Sequence, residues 1–293
     1  MARVIDGKAL AEKVRLEVAQ GVLAFKQQYG RPPVLHVVLA GEDPASAVYV
    51  RNKEKAALEA GFSGVVHRLP SAVTQRELED LVRQLNADET VDGILVQLPL
   101  PKGLNEDPIL KLLAPAKDVD GFHAVNVGAL WSSSANALSS VLVPCTPRGC
   151  IRLLAEAGVE LKGKRALVVG RSNIVGKPVA ALLLAADATV TVAHSRTVDL
   201  PARCREAEII VAAVGRPKFI TGDWVTPGAV VIDVGINRDA NGKLCGDVDF
   251  ETVEPKASVI TKVPGGVGPM TIAMLMEQTL IAAHSRKRKV VSD

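Results

Sequence analysis

The chain has 293 residues, about two domains at ~150 residues each, with 48% hydrophobic and 23% charged side chains. That balance excludes a largely disordered chain, and 24 Gly with 17 Pro and no triplet period exclude collagen-like or low-complexity sequence. A net charge of +3 is too small to point to nucleic acid or a membrane as partner.

Aromatic residues make up only 3%, so the core must be Ala, Val, Leu and Ile, which suits helices packed on parallel strands. Such a chain lacks the stacking surfaces of single-strand nucleic-acid binders. Cys145, Cys150, Cys204 and Cys245 form no Cys-x-x-Cys pair, so no metal site is expected and the thiols read as reduced, three or four of them buried or half-buried. Residues Met1–Leu10 carry Arg3, Asp6 and Lys8 and lack the apolar stretch of a signal peptide. The longest apolar run, Val179–Ala186, falls far short of the ~20 residues that span a bilayer. A cytoplasmic protein is expected.

In chain order, Gly7–Tyr29 reads as a long amphipathic helix and Pro33–Ala40 as a strand. Asp43 caps a helix with Pro44 at its first position, and Gly61 ends it. Gly64–Leu69 is a strand, Thr74–Ala87 a helix and Val91–Gln97 a third strand. Trp131–Ser140 turns small and polar, which predicts a surface loop near a domain boundary. A second alternating block follows: a helix from Thr146 or Pro147 to about Gly158, a strand at Arg165–Gly170, and a helix at Gly176–Ala186. Strands follow at Thr189–His194, Glu208–Val214 and Ala229–Gly235. After the loop Pro264–Pro269, a final helix at about Thr271–His284 is expected to fold back on the first block. The basic run Arg286–Lys289 reads as a solvated tail. The fold class is α/β with two α/β domains, the second a Rossmann-like parallel sheet. The first is expected over 1–140 and 270–293, the second over 141–269.

The strand Arg165–Gly170 runs into Gly170-Arg171-Ser172-Asn173-Ile174-Val175-Gly176 and then a helix. Strand, glycine turn and helix start together make a phosphate cradle, because backbone N–H groups and the helix dipole face the turn. Ser172 stands where G-x-G-x-x-G would put its middle glycine, so the motif alone is weak. Its downstream context adds to it. The next strand ends in His194-Ser195-Arg196-Thr197, with no acid to bind a ribose 2′-hydroxyl and repel a 2′-phosphate. Arg171, Ser195 and Arg196 suit that phosphate instead, so NADP is favoured over NAD.

In the first block, Tyr49 and Lys53 lie one turn apart on one helix face, a spacing equally common on any wet helix surface. Gln97, followed by Leu98-Pro99-Leu100-Pro101, ends a parallel strand, where α/β ligands usually sit. Lys117-Asp118-Val119-Asp120-Gly121-Phe122 puts two carboxylates in a turn, which also reads as turn chemistry alone.

Taken in order, these segments carry a resemblance. Tyr49…Lys53, Gln97–Pro101, Lys117–His123, Pro144-Cys145-Thr146-Pro147, Gly170–Pro178, His194–Thr197 and Pro264–Thr271 together resemble the bifunctional methylenetetrahydrofolate dehydrogenase/methenyltetrahydrofolate cyclohydrolase (FolD) family. The likeness runs from Val4-Ile5-Asp6-Gly7 to the last helix, with Ala124 where the family pattern has Pro.

The resemblance implies a two-domain subunit whose cleft holds tetrahydrofolate one-carbon substrates on one wall and NADP on the other. It implies Lys53 as the central catalytic residue, with Gln97 bonded to it, Tyr49 orienting the folate and Asp120 holding the pterin. Leu98 and the loop Pro264, Gly265 and Gly266 would border the substrate. Gly170, Arg171, Ser172, Val175, Gly176, Ser195, Arg196, Gly215 and Ile236 would line the cofactor. A homodimer through the nucleotide domains is implied, as is a role in one-carbon supply to purine, histidine and methionine biosynthesis. A protonated Lys53 would be repelled by the methenyl cation, so the uncharged amine suits the hydrolytic step. Two other readings stay open: a shikimate-type NADP dehydrogenase, and a non-catalytic nucleotide sensor on the same fold.

Overall fold

The computed structural model describes residues 1–290, with side chains described for all of these but Ala45 and 288–290. The first half of the chain forms β1 (Arg3–Ile5), α1 (Gly7–Tyr29), β2 (Val34–Ala40), α2 (Pro44–Glu59), β3 (Ser63–Leu69), α3 (Gln75–Ala87), β4 (Gly93–Val96), α4 (Glu106–Leu112) and α5 (Ala124–Ser132). The second half adds α6 (Cys145–Glu156), β5 (Arg165–Val169), α7 (Gly176–Ala185), β6 (Thr189–Ala193), α8 (Leu200–Glu206), β7 (Ile209–Ala212) and β8 (Val230–Asp233). It closes with β9 (Asn237–Arg238), β10 (Leu244–Cys245), α9 (Phe250–Val253), β11 (Val259–Thr261) and α10 (Val267–Val290).

Two compact units result. One, called the folate-type unit after the resemblance alone, comprises Lys13–Ala129, Ser140–Val143 and the described residues from Ile272 on, so most of the final helix returns to the first block. Its sheet is three parallel strands in the order β3-β2-β4. Val38, Leu78, Val82, Ile94 and Ile109 pack together in its core, joining sheet to helices. Local sequence sets the helix limits. Asp43 accepts a hydrogen bond from the Ser46 amide, Pro44 opens α2, and Gly61 follows its end at φ +84°. Thr74 and Glu77 form a reciprocal capping box at the start of α3.

The nucleotide-type unit comprises Met1–Glu12, Leu130–Ser139 and Pro144–Thr271. Six parallel strands run in the order β1-β11-β8-β7-β5-β6. Every residue of β7 and β8 is buried, which is what a sheet covered by helices on both faces requires. Leu167, Ile210, Val231 and Ile260 anchor its core.

Several boundaries differ from the sequence reading. Residues 1–12 fall in the nucleotide-type unit rather than with the first block, because β1 pairs in parallel with β11. Both strands are three residues long, too short to show a period. The stretch read as loop at Trp131–Ser140 holds the end of α5 and a short 3₁₀ turn at Ala137–Ser140. Helix α10 begins at Val267 inside the expected loop, since Pro269 in a first turn gives up no intrahelical bond.

Nor is the start of the basic tail simply solvated. The Arg286 side chain is 14% exposed and pairs with Glu89 and with the fully buried Asp92. Asp92 also accepts two hydrogen bonds from Arg31 and one from the Val34 amide, so three segments meet on one carboxylate. The side chains of Arg288 and Lys289 lie outside those described.

All four cysteines are unbridged and buried, and burial pushes the Cys150 thiol up to about 12 and that of Cys204 to about 11. Among the described residues no helix is long and apolar enough to cross a membrane.

Candidate active site

On α2, Arg51, Asn52 and Lys55 are exposed, yet Lys53 is only 6% exposed. The end of β4 explains the difference. The Gln97 amide N–H donates to the Val38 carbonyl at 2.9 Å, extending the β2–β4 ladder by one residue. From there the Gln97 side chain reaches α2, and its Oε1 accepts a hydrogen bond from Lys53 Nζ at 2.9 Å. Gln97 Nε2 donates to the Leu98 carbonyl at 2.6 Å, which fixes the amide so that oxygen, not nitrogen, faces the amine. Leu98 precedes Pro99 through a cis peptide. Tyr49 sits one turn earlier on α2, half-buried, and burial pushes its phenol pKa upward. The arrangement is a buried amine aimed by a neutral acceptor, with an aromatic ring on the same helix face. It can orient a water or exchange a proton without adding a second charge.

The Asp118–Asp120 turn has a division of labour that the sequence did not reveal. Asp118 is fully buried, and its Oδ2 accepts from the His123 amide at 2.7 Å and from Asn126 Nδ2 at 2.9 Å. Its Oδ1 is buried without a hydrogen-bond partner among the described residues, and burial raises the pKa of this carboxyl. Gly121 follows at φ +65°, and a Cβ there would lie 2.7 Å from Val143 backbone atoms. Asp118 is thus the anchor of the turn and Asp120, half-buried, is the carboxylate it presents. Asp120 makes no hydrogen bond to Lys53 or Gln97 among the described residues. Lys117 is also structural: its amine donates to the carbonyls of Leu85, Asn86 and Asp88, closing the end of α3.

In the nucleotide-type unit the loops after β6, β5, β7, β8 and β11 all leave from the carboxyl edge of one parallel sheet. Gly170 leaves β5 at φ +129°, and a Cβ on it would lie 2.1 Å from the Ala213 carbonyl oxygen. At Gly176, where α7 begins, a Cβ would lie 2.2 Å from the Gly170 carbonyl oxygen. Only glycine allows either approach. Ser172, in place of a middle glycine, closes the turn that leads into α7: its hydroxyl accepts from the Val175 and Gly176 amides at 3.1 and 3.3 Å. Arg171, Ser172, Ser195 and Arg196 are exposed, and neither arginine forms an ion pair among the described residues. The Gly170 amide donates to the Ala193 carbonyl at 2.9 Å, which brings the loop holding Ser195 and Arg196 next to the glycine turn. Gly215 follows β7 at φ +67°, and exposed Ile236 follows β8.

Pro264, Gly265 and Gly266 belong to this same unit, after β11. A Cβ on Gly7 would lie 1.9 Å from the Gly266 carbonyl oxygen, so the start of α1 is molded to this loop. Two further residues escaped sequence reasoning, the buried carboxylates Asp233 and Asp247 beneath the Gly215 and Ile236 loops. Their only local signal is the flanking pair Gly235 and Gly246, where a Cβ would strike Asp247 and Asp233 respectively.

Comparison with known proteins also gives two domains, with bounds that differ from the two compact units at residues 5–12 and along α10. The catalytic domain of the tetrahydrofolate dehydrogenase/cyclohydrolase family matches residues 5–120, and its NAD(P)-binding domain matches residues 144–287. "Bifunctional protein FolD" of Sorangium cellulosum is 58% identical over 288 residues, covering 98% of this chain and 99% of that one. The crystal structure of the bifunctional FolD methylenetetrahydrofolate dehydrogenase/cyclohydrolase from Campylobacter jejuni superimposes with TM-score 0.92 at 47% identity, covering 98% of this chain and 100% of that one. The Trypanosoma brucei enzyme, solved with NADP cofactor and an inhibitor, gives TM-score 0.90 at 42% identity, covering 99% and 98%. On the glycine turn, the buried amine and full-length likeness alike, this chain belongs to the tetrahydrofolate dehydrogenase/cyclohydrolase family.

Proposed function

We propose that the chain oxidises 5,10-methylenetetrahydrofolate to 5,10-methenyltetrahydrofolate with NADP and then hydrolyses that product to 10-formyltetrahydrofolate. The observation that carries this reading is the buried Lys53 amine held 2.9 Å from Gln97 Oε1, inside the segment matched by the family's catalytic domain. When bound, NADP supplies the hydride acceptor for the first reaction.

The chain's own residues fit that cofactor. Gly170 and Gly176 keep the β5–α7 turn free of Cβ atoms so that a cofactor can come close to its backbone, and Val175 stands at the N-cap of α7. Exposed Arg171 and Arg196, with Ser195, offer donors to a 2′-phosphate, and β6 ends without the carboxylate that would repel it. Gly215 and Ile236 border the same edge.

On the folate side, Tyr49 orients the ring system and Asp120 accepts hydrogen bonds from the pterin, while Leu98 borders the substrate. Methenyltetrahydrofolate is a cation, so positioning matters more than strong acid catalysis in forming it. In the second reaction Lys53 orients the attacking water and takes its proton, and Gln97 holds the amine's direction without adding charge. Water adds to the methenyl carbon, one of its protons leaves, and the other passes to N5 as the carbon–N5 bond breaks, leaving the formyl group on N10.

The same reading places the protein in the cytoplasm, supplying one-carbon units to biosynthesis, as a homodimer through the nucleotide-type unit. In support, β6 is an edge strand of the six-stranded sheet with Val192 exposed, and Val198 beyond it is exposed as well. A shikimate-type dehydrogenase gives no reason for the Lys53–Gln97 pair, and a nucleotide sensor gives no reason to bury an amine.

The test mixes protein, methylenetetrahydrofolate and NADP⁺ and follows NADPH, then follows the decay of added methenyltetrahydrofolate. Both signals are expected. NADP⁺ binding without turnover would favour the sensor.

A further inference from the structure

Asp247 is fully buried, and its carboxylate gathers four donors from two loops. Its Oδ2 accepts from the Val214 amide at 2.6 Å and the Gly215 amide at 3.1 Å. Its Oδ1 accepts from the Arg216 amide and from Asn237 Nδ2, both at 2.8 Å. Three successive amides therefore close on one internal anion, the arrangement that elsewhere binds external phosphate. Because Asp247 occupies them, the Gly215 turn has no amide of these three left for a cofactor phosphate.

Asp247 is itself held in place. Asp233, the last residue of β8, accepts from the Asp247 and Gly235 amides through Oδ1 and from the Val248 amide through Oδ2. A Cβ on Gly235 would lie 2.3 Å from Asp247 Oδ1, and one on Gly246 would lie 1.7 Å from Asp233 Oδ2. Setting two acidic side chains this deep is costly, and the cost is offset only while each keeps its hydrogen-bond partners. Among the described residues, every donor to the Asp247 carboxylate comes from residues 214–216 and 237, the ones that carry or adjoin Gly215 and Ile236.

We infer that Asp247 is a positioning residue for the dehydrogenase step, setting the shape of the Gly215 and Ile236 loops that receive the cofactor. The inference rests on the NADP reading above. It predicts a split between the two activities, since hydrolysis of supplied methenyltetrahydrofolate needs no cofactor.

Asp247→Asn keeps the shape but turns one acceptor into a donor facing amide N–H groups. Its NADP⁺ dissociation constant by calorimetry and its KM for NADP⁺ are both expected to rise about tenfold or more, the loss of one charge-assisted acceptor. Cyclohydrolase turnover is expected to stay within about twofold of wild type. Asn237→Ala removes a single donor and is expected to shift the same constants in the same direction by about twofold to fivefold. It decides the matter if Asp247→Asn does not fold. Unchanged NADP⁺ affinity in a folded variant, or equal loss of both activities, would overturn the inference. Absence of turnover in the wild type would instead overturn the functional reading, while the binding constants still test Asp247.

Discussion

Around Lys53 the chain builds with buried side chains, whereas around Gly170 it builds with bare backbone. In the folate-type unit an amine is taken out of water and aimed by a fixed amide, so the identity of each atom matters. In the nucleotide-type unit the exposed cations sit on loops whose path depends on what is missing, a Cβ at Gly170 and Gly176. The difference teaches where each site is fragile: the first to loss of a functional group, the second to gain of a methyl.

The contrast can be broken most forcefully at Gly170. Gly170→Ala puts a Cβ against the Ala213 carbonyl at a φ that alanine resists, so NADP⁺ affinity should fall about tenfold to a hundredfold. Hydrolysis of supplied methenyltetrahydrofolate should persist, and titration calorimetry alongside that assay reads both.

Gln97→Ala is the counterpart in the other unit. It leaves a buried amine without its acceptor, so cyclohydrolase turnover should drop about tenfold while the KM for NADP⁺ holds. Arg196→Ala sharpens the cofactor side: the KM for NADP⁺ should rise about threefold to tenfold and that for NAD⁺ much less. Equal effects on the two would remove the basis for the 2′-phosphate assignment.

The smallest effect concerns stability. Each unit hides a carboxyl that favours its proton: burial raises the pKa of Asp118 and pushes Asp233 up to about 7. The folded protein then holds protons that the unfolded chain has lost, so this contribution is complete below about pH 4 and disappears as pH rises through about 7. His36 and His67, whose pKa values burial lowers, act in the opposite sense over the same window, so the test is a difference: the urea midpoint of Asp118→Asn relative to wild type should rise with pH.

Much of this was legible from local chemistry. Asp43-Pro44 and the Thr74–Glu77 box mark two helix starts because caps depend on neighbours only. The glycine turn at 170–176 could be read as a strand-to-helix junction for the same reason. What local sequence does not carry is burial. Lys53 sits among exposed Asn52 and Lys55, and nothing within α2 says that Gln97, 44 positions away, covers it. The family likeness supplied that pairing where spacing alone did not. Asp247 was missed on the same ground, since its donors at 214–216 lie more than thirty positions back along the chain. Strand β1 was missed because its partner β11 is 256 positions on at Arg3↔Val259, and three residues hold no period.

The central claim is that the Lys53 amine carries out the hydrolytic step, and Lys53→Met tests it most directly. Methenyltetrahydrofolate hydrolysis should fall about 10²- to 10⁴-fold, with NADP⁺ affinity unchanged in the same preparation. Hydrolysis at the wild-type rate in a folded Lys53→Met protein would contradict it.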